Sequence, residues 1–76
     1  MSANDILKVF GLNVKIERLK LGLTQSELAE VLDVHEKHIC KIETGHQNVT
    51  IKTLSKIADA LQVEENQLLI RTKRNQ

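Results

Sequence analysis

The stretch TQSELAEVLDVHEKHICKIETG, residues 24–45, predicts two short helices joined by a tight turn. Thr24 and Glu27 have the spacing of a capping box, in which a hydroxyl and a carboxylate each satisfy a free backbone N–H at the start of a helix. Asp33 and Val34 are expected to form the turn, because Asp adopts the left-handed backbone region more readily than most residues with a side chain. The first helix should then face inward with Leu28, Ala29 and Leu32.

The second helix of this stretch is expected to bury one narrow face. His35 takes the N-cap position and Gly45 ends the helix. Because an α-helix turns by about 100° per residue, Ile42 and Glu43 share the inward direction with Ile39. The opposite face is polar and consists of Lys37, Lys41 and Thr44, with Glu36 and Cys40 on its flanks.

Three more helices are expected around this pair, which makes the fold class all-α with five helices. The first should be capped by Asn4 or Asp5 and run to about Leu21, where Gly22 can end it. Its inward face is predicted to contain Phe10, Val14, Arg18 and Leu21. Gly11 costs about 1 kcal/mol relative to Ala inside a helix, which leaves open a helix that begins near this residue.

The fourth helix should begin after a Thr50 cap, and the fifth is a shorter one between Val63 and about Ile70. The inward residues of the fourth helix are predicted to be Leu54, Ile57, Ala58 and Leu61. The chain, residues 1–76, is expected to be a single domain whose core lies between residues 10 and 70. Residues 71–76, RTKRNQ, have no apolar side chain and are expected to form a frayed basic tail.

The composition restricts the class of protein. With 76 residues, one Phe and neither Trp nor Tyr, the chain can build only a thin, mainly aliphatic core. The single cysteine, Cys40, excludes an internal disulfide and is typical of a reducing compartment. No apolar run approaches the ~20 residues that span a bilayer and no signal-peptide pattern is present, so we expect a cytoplasmic protein without a membrane partner. The formal net charge is only +1, so any phosphate binding must depend on the local arrangement of charges.

Two ionisable residues fall on faces that are otherwise apolar. Arg18 shares a face with Val14, and Glu43 shares one with Ile39. A buried charge without a partner is costly, so we expect these two residues to form an ion pair that ties the first helix to the end of the third. The alternative is that the Arg18 side chain extends to solvent and that Glu43 lies at the edge of its helix.

The polar face of the third helix suits a helix that reads DNA. Side chains near its N-terminal end can reach base edges in a groove, where Lys donates to guanine O6 and N7 and Glu accepts from cytosine N4. Any surface helix is polar on its outside, so this face alone does not decide the function. The pairing with the preceding helix across a two-residue turn favours a DNA-reading helix-turn-helix.

These motifs resemble a known family. LGLTQSELAEVLDV, residues 21–34, followed by an IxxIExG pattern that ends at Gly45, resembles the phage-repressor (Cro/repressor-like, XRE-type) helix-turn-helix family. The resemblance covers about Phe10 to Leu69 and implies a five-helix lambda-repressor-like domain that binds operator DNA, usually as a dimer. NVTIKTLSKIADAL, residues 48–61, is similar to the controller proteins of restriction–modification systems and to some antitoxins.

The resemblance also implies roles for individual residues. The implied base contacts are His35, Glu36, Lys37 and Lys41. The implied contacts to the DNA backbone are Gln25, Thr44, His46, Asn48 and Lys52, and Gln25 also braces the third helix. Arg18 and Glu43 match a buried ion pair found in several members. Two residues depart from the family pattern: Asp33 replaces the usual Gly of the turn, and Glu36 would be repelled by phosphates unless it meets a cytosine amino group or pairs with Gln25 or Lys37.

The sequence therefore predicts a transcriptional regulator, a repressor or a controller, that binds an inverted-repeat operator as a homodimer. The consecutive apolar residues near the C-terminus cannot all face one small core, so the dimer interface is expected to contain Val63, Leu68, Leu69 and Ile70. The alternative is that Leu68 and Leu69 complete the core and that Ile70 is incidental. A second hypothesis for the function is an antitoxin that neutralises a toxin partner, with or without binding DNA.

Neither metal binding nor catalysis is expected from the sequence. His35, His38 and Cys40 are zinc-ligand types, but Cys40 lies about 160–200° round the helix from His38, so no metal or other cofactor is predicted. The sequence shows no catalytic triad, carboxylate pair or Gly-rich phosphate loop, so we do not expect an enzyme.

Overall fold

The first helix, α1, begins at Ala3 in the computed structural model, which describes residues 2–71. Ser2 is its N-cap: the Ser2 hydroxyl accepts the N–H of Asp5 at 3.1 Å, and the Asp5 carboxylate accepts the N–H of Ser2 at 3.3 Å. The backbone N–H of Ser2, followed by its hydroxyl, lowers the pKa of Asp5 below its ordinary value. The predicted caps, Asn4 and Asp5, were therefore wrong, because Asp5 is the partner of the cap and lies within the first turn.

The end of α1 lies close to the predicted position, but one residue on its inward face was placed wrongly. The helix spans Ala3–Lys20, and Gly22 follows it with φ +73°, in the left-handed region that favours glycine. Leu21 caps the helix and is 41% exposed, whereas Phe10 and Val14 are buried as expected. Leu21 fails to face the core because the chain leaves the helix at this residue.

Gly11 lies in the middle of α1, and the helix does not begin near it. A Cβ atom on Gly11 would overlap the carbonyl oxygen of Ile42 and lie 2.8 Å from that of Glu43. The glycine therefore allows the backbone of α1 to lie directly against the end of the third helix, which explains its presence inside a helix in spite of its low propensity.

The two helices of the central stretch form as predicted. α2 spans Gln25–Leu32 and begins with the Thr24–Glu27 capping box, whose hydrogen bonds measure 3.0 and 2.8 Å. Asp33 ends it in the left-handed region, with φ 57° and ψ 49°. α3 spans Glu36–Glu43 and is followed by Gly45 with φ +79°.

α4 spans Ile51–Leu61, and its N-cap is Thr50, whose hydroxyl accepts the N–H of Thr53 at 3.1 Å. The left-handed residue that ends this helix, Gln62 with φ 63°, was not expected from the sequence.

The predicted fifth helix is a single 3-10 turn, Glu65–Leu68, so the described chain contains four α-helices and this turn. Leu68 is fully buried. The side-chain amide of Asn13 donates to the carbonyl oxygens of Leu68 at 3.0 Å and Ile70 at 2.8 Å, which fixes this segment on α1.

α1 packs on α3, on α4 and on the 3-10 turn, and α2 packs on α3 and α4. The core lies between these elements. It contains Phe10, Val14, Leu28, Ala29, Ile39, Ile42, Leu54, Ile57, Ala58, Leu61 and Leu68. Within residues 2–71 every regular element is helical, and none of these helices has the length and apolar character of a membrane span. Arg71 is exposed and not helical, and the rest of the predicted tail, residues 72–76, lies outside the described residues.

Candidate nucleic-acid interface

A buried carboxylate fixes the position of α3. Glu43 accepts two hydrogen bonds from Arg18, one from Nε at 2.6 Å and one from Nη2 at 3.1 Å. The Nε2 of Gln25 donates to the same carboxylate at 3.0 Å, and the third guanidinium nitrogen, Nη1, donates to the carbonyl of Leu23 at 2.7 Å. Arg18 and Glu43 are both buried, as the sequence analysis expected. These contacts join α1, the start of α2 and the end of α3.

The ion pair also raises the pKa of the Arg18 guanidinium. Its hydrogen bonds to Glu43 raise the pKa of Arg18, although burial acts in the opposite direction. The guanidinium therefore stays charged, and the end of α3 is held by a charge-assisted, two-point contact.

The outward face of α3 carries the polar residues that the sequence placed there. Ile39 and Ile42 are buried, which fixes the rotation of the helix about its axis. The opposite side exposes Glu36, Lys37, Cys40, Lys41 and Thr44. His35, at the N-cap, is also exposed and makes no side-chain capping hydrogen bond.

A recess opens beside this face and adds two polar residues, His38 and Gln47, that were not among the predicted site residues. It is lined by Val34, His35, Lys37, His38, Lys41 and Gln47. His38 lies about 100° from Ile39 on the helix, so helical periodicity could have placed it on the rim of the polar face. Gln47 belongs to the loop after α3, where periodicity gives no information.

The loop between α3 and α4 places further polar groups beside the helix. The hydroxyl of Thr44 donates to the carbonyl oxygens of Cys40 and Lys41, at 2.9 and 3.2 Å. The Nδ1 of His46 lies 3.0 Å from the same hydroxyl oxygen. Asn48 is exposed, and Lys52 is exposed on the first turn of α4. The predicted backbone-contacting residues therefore lie at the end of α3 and the start of α4, except Gln25, whose amide contacts Glu43.

The positive charges of this surface are available to a ligand. Within residues 2–71 the ion pairs are Arg18–Glu43 and Lys20–Glu17. In this part of the chain no carboxylate therefore lies within ion-pair distance of Lys37, Lys41 or Lys52. Glu36 is the nearest acidic residue in sequence on the outward face. The formal charge of the whole chain is small, but its free ammonium groups are present where the helix is exposed.

The predicted dimer residues separate into two groups. Leu68 is fully buried in the core of one chain and Val63 packs against that core, so the placement of Leu68 in a dimer interface was wrong. Leu69 and Ile70 are 43% and 59% exposed. Leu69 lines an apolar groove of about 250 Å³ between the start of α1 and the start of α4, together with Ile6, Leu7, Phe10, Val49, Thr50, Ile51 and Leu54.

No group of three metal-ligand side chains comes together among residues 2–71. Cys40 is a free, exposed thiol on the flank of α3.

Comparisons with known proteins agree with this geometry. A helix-turn-helix family model (HTH_3) matches residues 14–68. The control protein C.BamHI of Bacillus amyloliquefaciens is 39% identical over 67 residues, which cover 87% of this chain and 83% of that protein. The restriction-modification controller protein C.AhdI from Aeromonas hydrophila has a TM-score of 0.76 and 31% identity, over 82% of this chain and 94% of that one.

A third relative has been solved with DNA. The restriction-modification controller protein C.Esp1396I, a tetramer in complex with its natural 35 base-pair operator, has a TM-score of 0.73 and 32% identity over 83% of each chain. All three relatives are control or controller proteins rather than enzymes, and their names give the antitoxin alternative no support. The chain therefore belongs to the helix-turn-helix (HTH_3, XRE-type) family of DNA-binding transcriptional regulators.

Proposed function

We propose that this protein binds an inverted-repeat operator as a homodimer and controls the transcription of restriction–modification genes. The observation that carries the proposal is the exposed polar face of α3, which a buried ion pair fixes against α1 and α2. A helix that reads the major groove must be short, held in a fixed position and equipped with exposed side chains that can contact bases. The controller proteins among the relatives favour a controller over other kinds of regulator.

The base-reading residues in this proposal are those at the start and on the outward face of α3. Lys37 and Lys41 donate to guanine O6 and N7, and Glu36 accepts from the amino group of cytosine. Gln25 is already bonded to Glu43, so its amide nitrogen is not the partner that would relieve the repulsion of Glu36. His35 reaches the DNA from the N-cap of the helix.

The DNA backbone is contacted from both ends of α3. Thr44, His46 and Asn48 approach phosphates from the loop, Lys52 from the first turn of α4 and Gln25 from the start of α2. The free backbone N–H groups at the start of α4 add donors that suit a phosphate oxygen. These contacts fix the register of the protein on the duplex, and the base contacts give the sequence preference.

Two copies are needed because one chain is too small to read two half-sites. Its longest dimension is 30 Å, whereas successive major-groove sites on one side of B-DNA are about 34–36 Å apart. A two-fold axis uses the same surface of both copies. We assign the contact to Leu69 and Ile70, with Val63 at its edge. Assembly on an operator has a precedent in the C.Esp1396I tetramer.

Selection of bound sequences from a pool of random duplex DNA, at one fixed salt concentration, tests this proposal. We expect enrichment of an inverted repeat whose half-site centres are about one helical turn, 10–10.5 bp, apart. No enrichment, with the protein shown to be folded by circular dichroism, would refute an operator-binding function.

The enriched duplex then tests the assigned roles. We expect Lys37→Ala to relax the preference at one base pair, by about 1–3 kcal/mol, because it removes a base contact. Asn48→Ala should weaken binding to all sequences to a similar degree, because a phosphate contact carries no sequence information. Lys56→Ala is the matched control, since this exposed lysine lies beside Asp59 in a recess between α2 and α4. If Lys37→Ala and Asn48→Ala lose affinity in the same sequence-independent way, α3 does not read the groove.

A further inference from the structure

We propose that protonation of the three histidines regulates the affinity of this surface for DNA, so that the protein binds its operator more tightly as the pH falls from about 7.5 to 6, where histidine side chains gain charge. The inference rests on the proposed function and adds a means of regulation to it.

All three histidines of the chain lie around α3. His35 is the exposed N-cap of the helix, and His38 lines the recess that it shares with Lys37 and Lys41. His46 is exposed in the loop that follows the helix. The rest of the described chain, α1, α2 and α4 included, contains no histidine, so this type of side chain is confined to the surface that faces DNA in our proposal.

The ring of His46 lies beside the end of α3, with its Nδ1 3.0 Å from the hydroxyl oxygen of Thr44. The same hydroxyl lies within hydrogen-bond distance of the carbonyl oxygens of Cys40 and Lys41. An imidazolium ring donates from both nitrogens, so a protonated His46 can bond this hydroxyl and a phosphate oxygen at the same time.

The fixed charges around the histidines come from several elements. On α3 and the turn before it they are Asp33, Glu36, Lys37 and Lys41. From α1, Lys8 lies against Gly45, directly before His46, and α4 contributes Lys52. The carboxylate of Glu43 is neutralised by Arg18. These groups carry four positive and two negative charges, a net +2, so three added protons would raise the charge around α3 from +2 to +5.

The size of the effect follows from the charge of the chain. Adding three protons to a formal charge of +1 gives +4, and all of the added charge lies beside α3. Each phosphate contact made by a cation steepens the dependence of the logarithm of the affinity on the logarithm of the salt concentration by about 0.9. Each histidine that meets a phosphate when protonated would therefore add about 0.9 to this slope, from about 0.9 for His46 alone to about 2.7 for all three.

The experiment measures DNA affinity by fluorescence anisotropy at pH 7.5 and pH 6.0 over a series of NaCl concentrations. The probes are a labelled duplex with the inverted repeat selected above and a random-sequence duplex of the same length. We expect at least about tenfold tighter binding to both probes at pH 6.0 and a salt slope that is steeper by about 1–3. A random-sequence probe that responds equally shows that the added contacts are to phosphates.

The matched variant is His35→Gln/His38→Gln/His46→Gln, which keeps hydrogen-bonding side chains but cannot gain charge in this range. The readout is the ratio of the affinities at pH 6.0 and pH 7.5 in each protein, because His35 and His46 are also assigned contacts to DNA and their loss lowers the affinity at both pH values. We expect this ratio to fall to about 1 in the variant. The three single variants give the same test if the triple variant does not fold. Wild-type binding that is equal at both pH values, or a response that persists without the histidines, overturns the inference while the proposed function stands. Absence of DNA binding at either pH overturns both.

Discussion

At the scale of single residues, the carboxylate of Glu43 contributes more to the arrangement of the helices than an exposed charge does, because it joins three of them. It accepts hydrogen bonds from Arg18 on α1 and from Gln25 at the start of α2, while it belongs to the last turn of α3. Removal of one partner from a buried ion pair leaves an uncompensated charge, which is more costly than the net value of the pair. The position of α3 therefore depends on one side chain at its end.

We predict that Glu43→Ala lowers the free energy of unfolding by about 3–5 kcal/mol, because Arg18 is left buried and charged. Urea denaturation followed by circular dichroism measures the change. The control is Glu17→Ala, which removes the surface pair with Lys20 and should cost at most about 1 kcal/mol. The double variant Arg18→Met/Glu43→Leu should lose less than the sum of the single changes. Equal losses in Glu43→Ala and Glu17→Ala would contradict the structural role of the buried pair.

At the scale of elements, the contact between α1 and α3 depends on the absence of a side chain at Gly11. The carbonyl oxygens of Ile42 and Glu43 occupy the space that a Cβ atom would need. Backbone atoms of a packed helix cannot move as a flexible side chain can. An added methyl group would therefore push α3 away from α1 and disturb the neighbouring ion pair of Arg18.

We predict that Gly11→Ala destabilises the protein by about 1–3 kcal/mol, although Ala is favoured over Gly by about 1 kcal/mol in a helix. Lys15→Ala, at an exposed position of the same helix, is the control and should change stability by less than about 0.5 kcal/mol. Both variants are compared by thermal denaturation. A stabilised Gly11→Ala protein would show that helix propensity outweighs the close contact.

The sequence predicted those elements whose determinants are local. The caps Thr24 and Thr50 and the left-handed Asp33 are recognisable within a few residues, and the spacing of Ile39 and Ile42 defines the buried face of α3. The pairing of Arg18 with Glu43 could be inferred because each charge falls on an apolar face.

Several errors concern residues whose position depends on distant parts of the chain, whereas the missed Ser2 cap and the exposed Leu21 are local features of the two ends of α1. Asn13 was not singled out, since its partners, the carbonyls of Leu68 and Ile70, are 55 and 57 residues away. The same hydrogen bonds hold the segment around Leu68 on α1, where a 3-10 turn is found instead of the predicted fifth helix. His38 and Gln47 share a recess only because the loop after α3 folds back beside the helix. The residues proposed to contact DNA or a second copy stay predictions.

At the scale of the whole molecule, the described surface has one polar side around α3 and an apolar groove beside Leu69. Ile6, Ile51 and Ile70 are exposed near this groove, at 42%, 80% and 59%. Residues 72–76 contain no apolar side chain that could fill it. A second copy of the chain can use both the groove and the neighbouring isoleucines, because an isologous interface brings the same patch from each partner.

We predict that Ile70→Lys weakens the dimer at least about tenfold, because two lysines would meet near the two-fold axis and each would lose its water. Sedimentation equilibrium without DNA gives the dissociation constant of the dimer. The side chain of Ile70 is largely exposed, so the variant should fold and still bind an isolated half-site with unchanged affinity.

Val31→Lys is the control, since Val31 is 62% exposed but lies on α2 beside a different recess. A dimer that is equally weakened by both substitutions, or by neither, would exclude this surface as the interface.

The hydrogen bonds of Asn13 also bear on how the protein is made. The partners of this side chain are synthesised 55 and 57 residues after it, which at 5–20 residues per second corresponds to roughly 3–11 s. Throughout this interval α1 lacks Leu68, the residue that completes its packing. The nascent chain therefore reaches its final packing only when translation has passed the 3-10 turn. A polypeptide that ends before Leu68 lacks the side chain that fills this part of the core, so we expect it to be degraded rather than to act as a regulator.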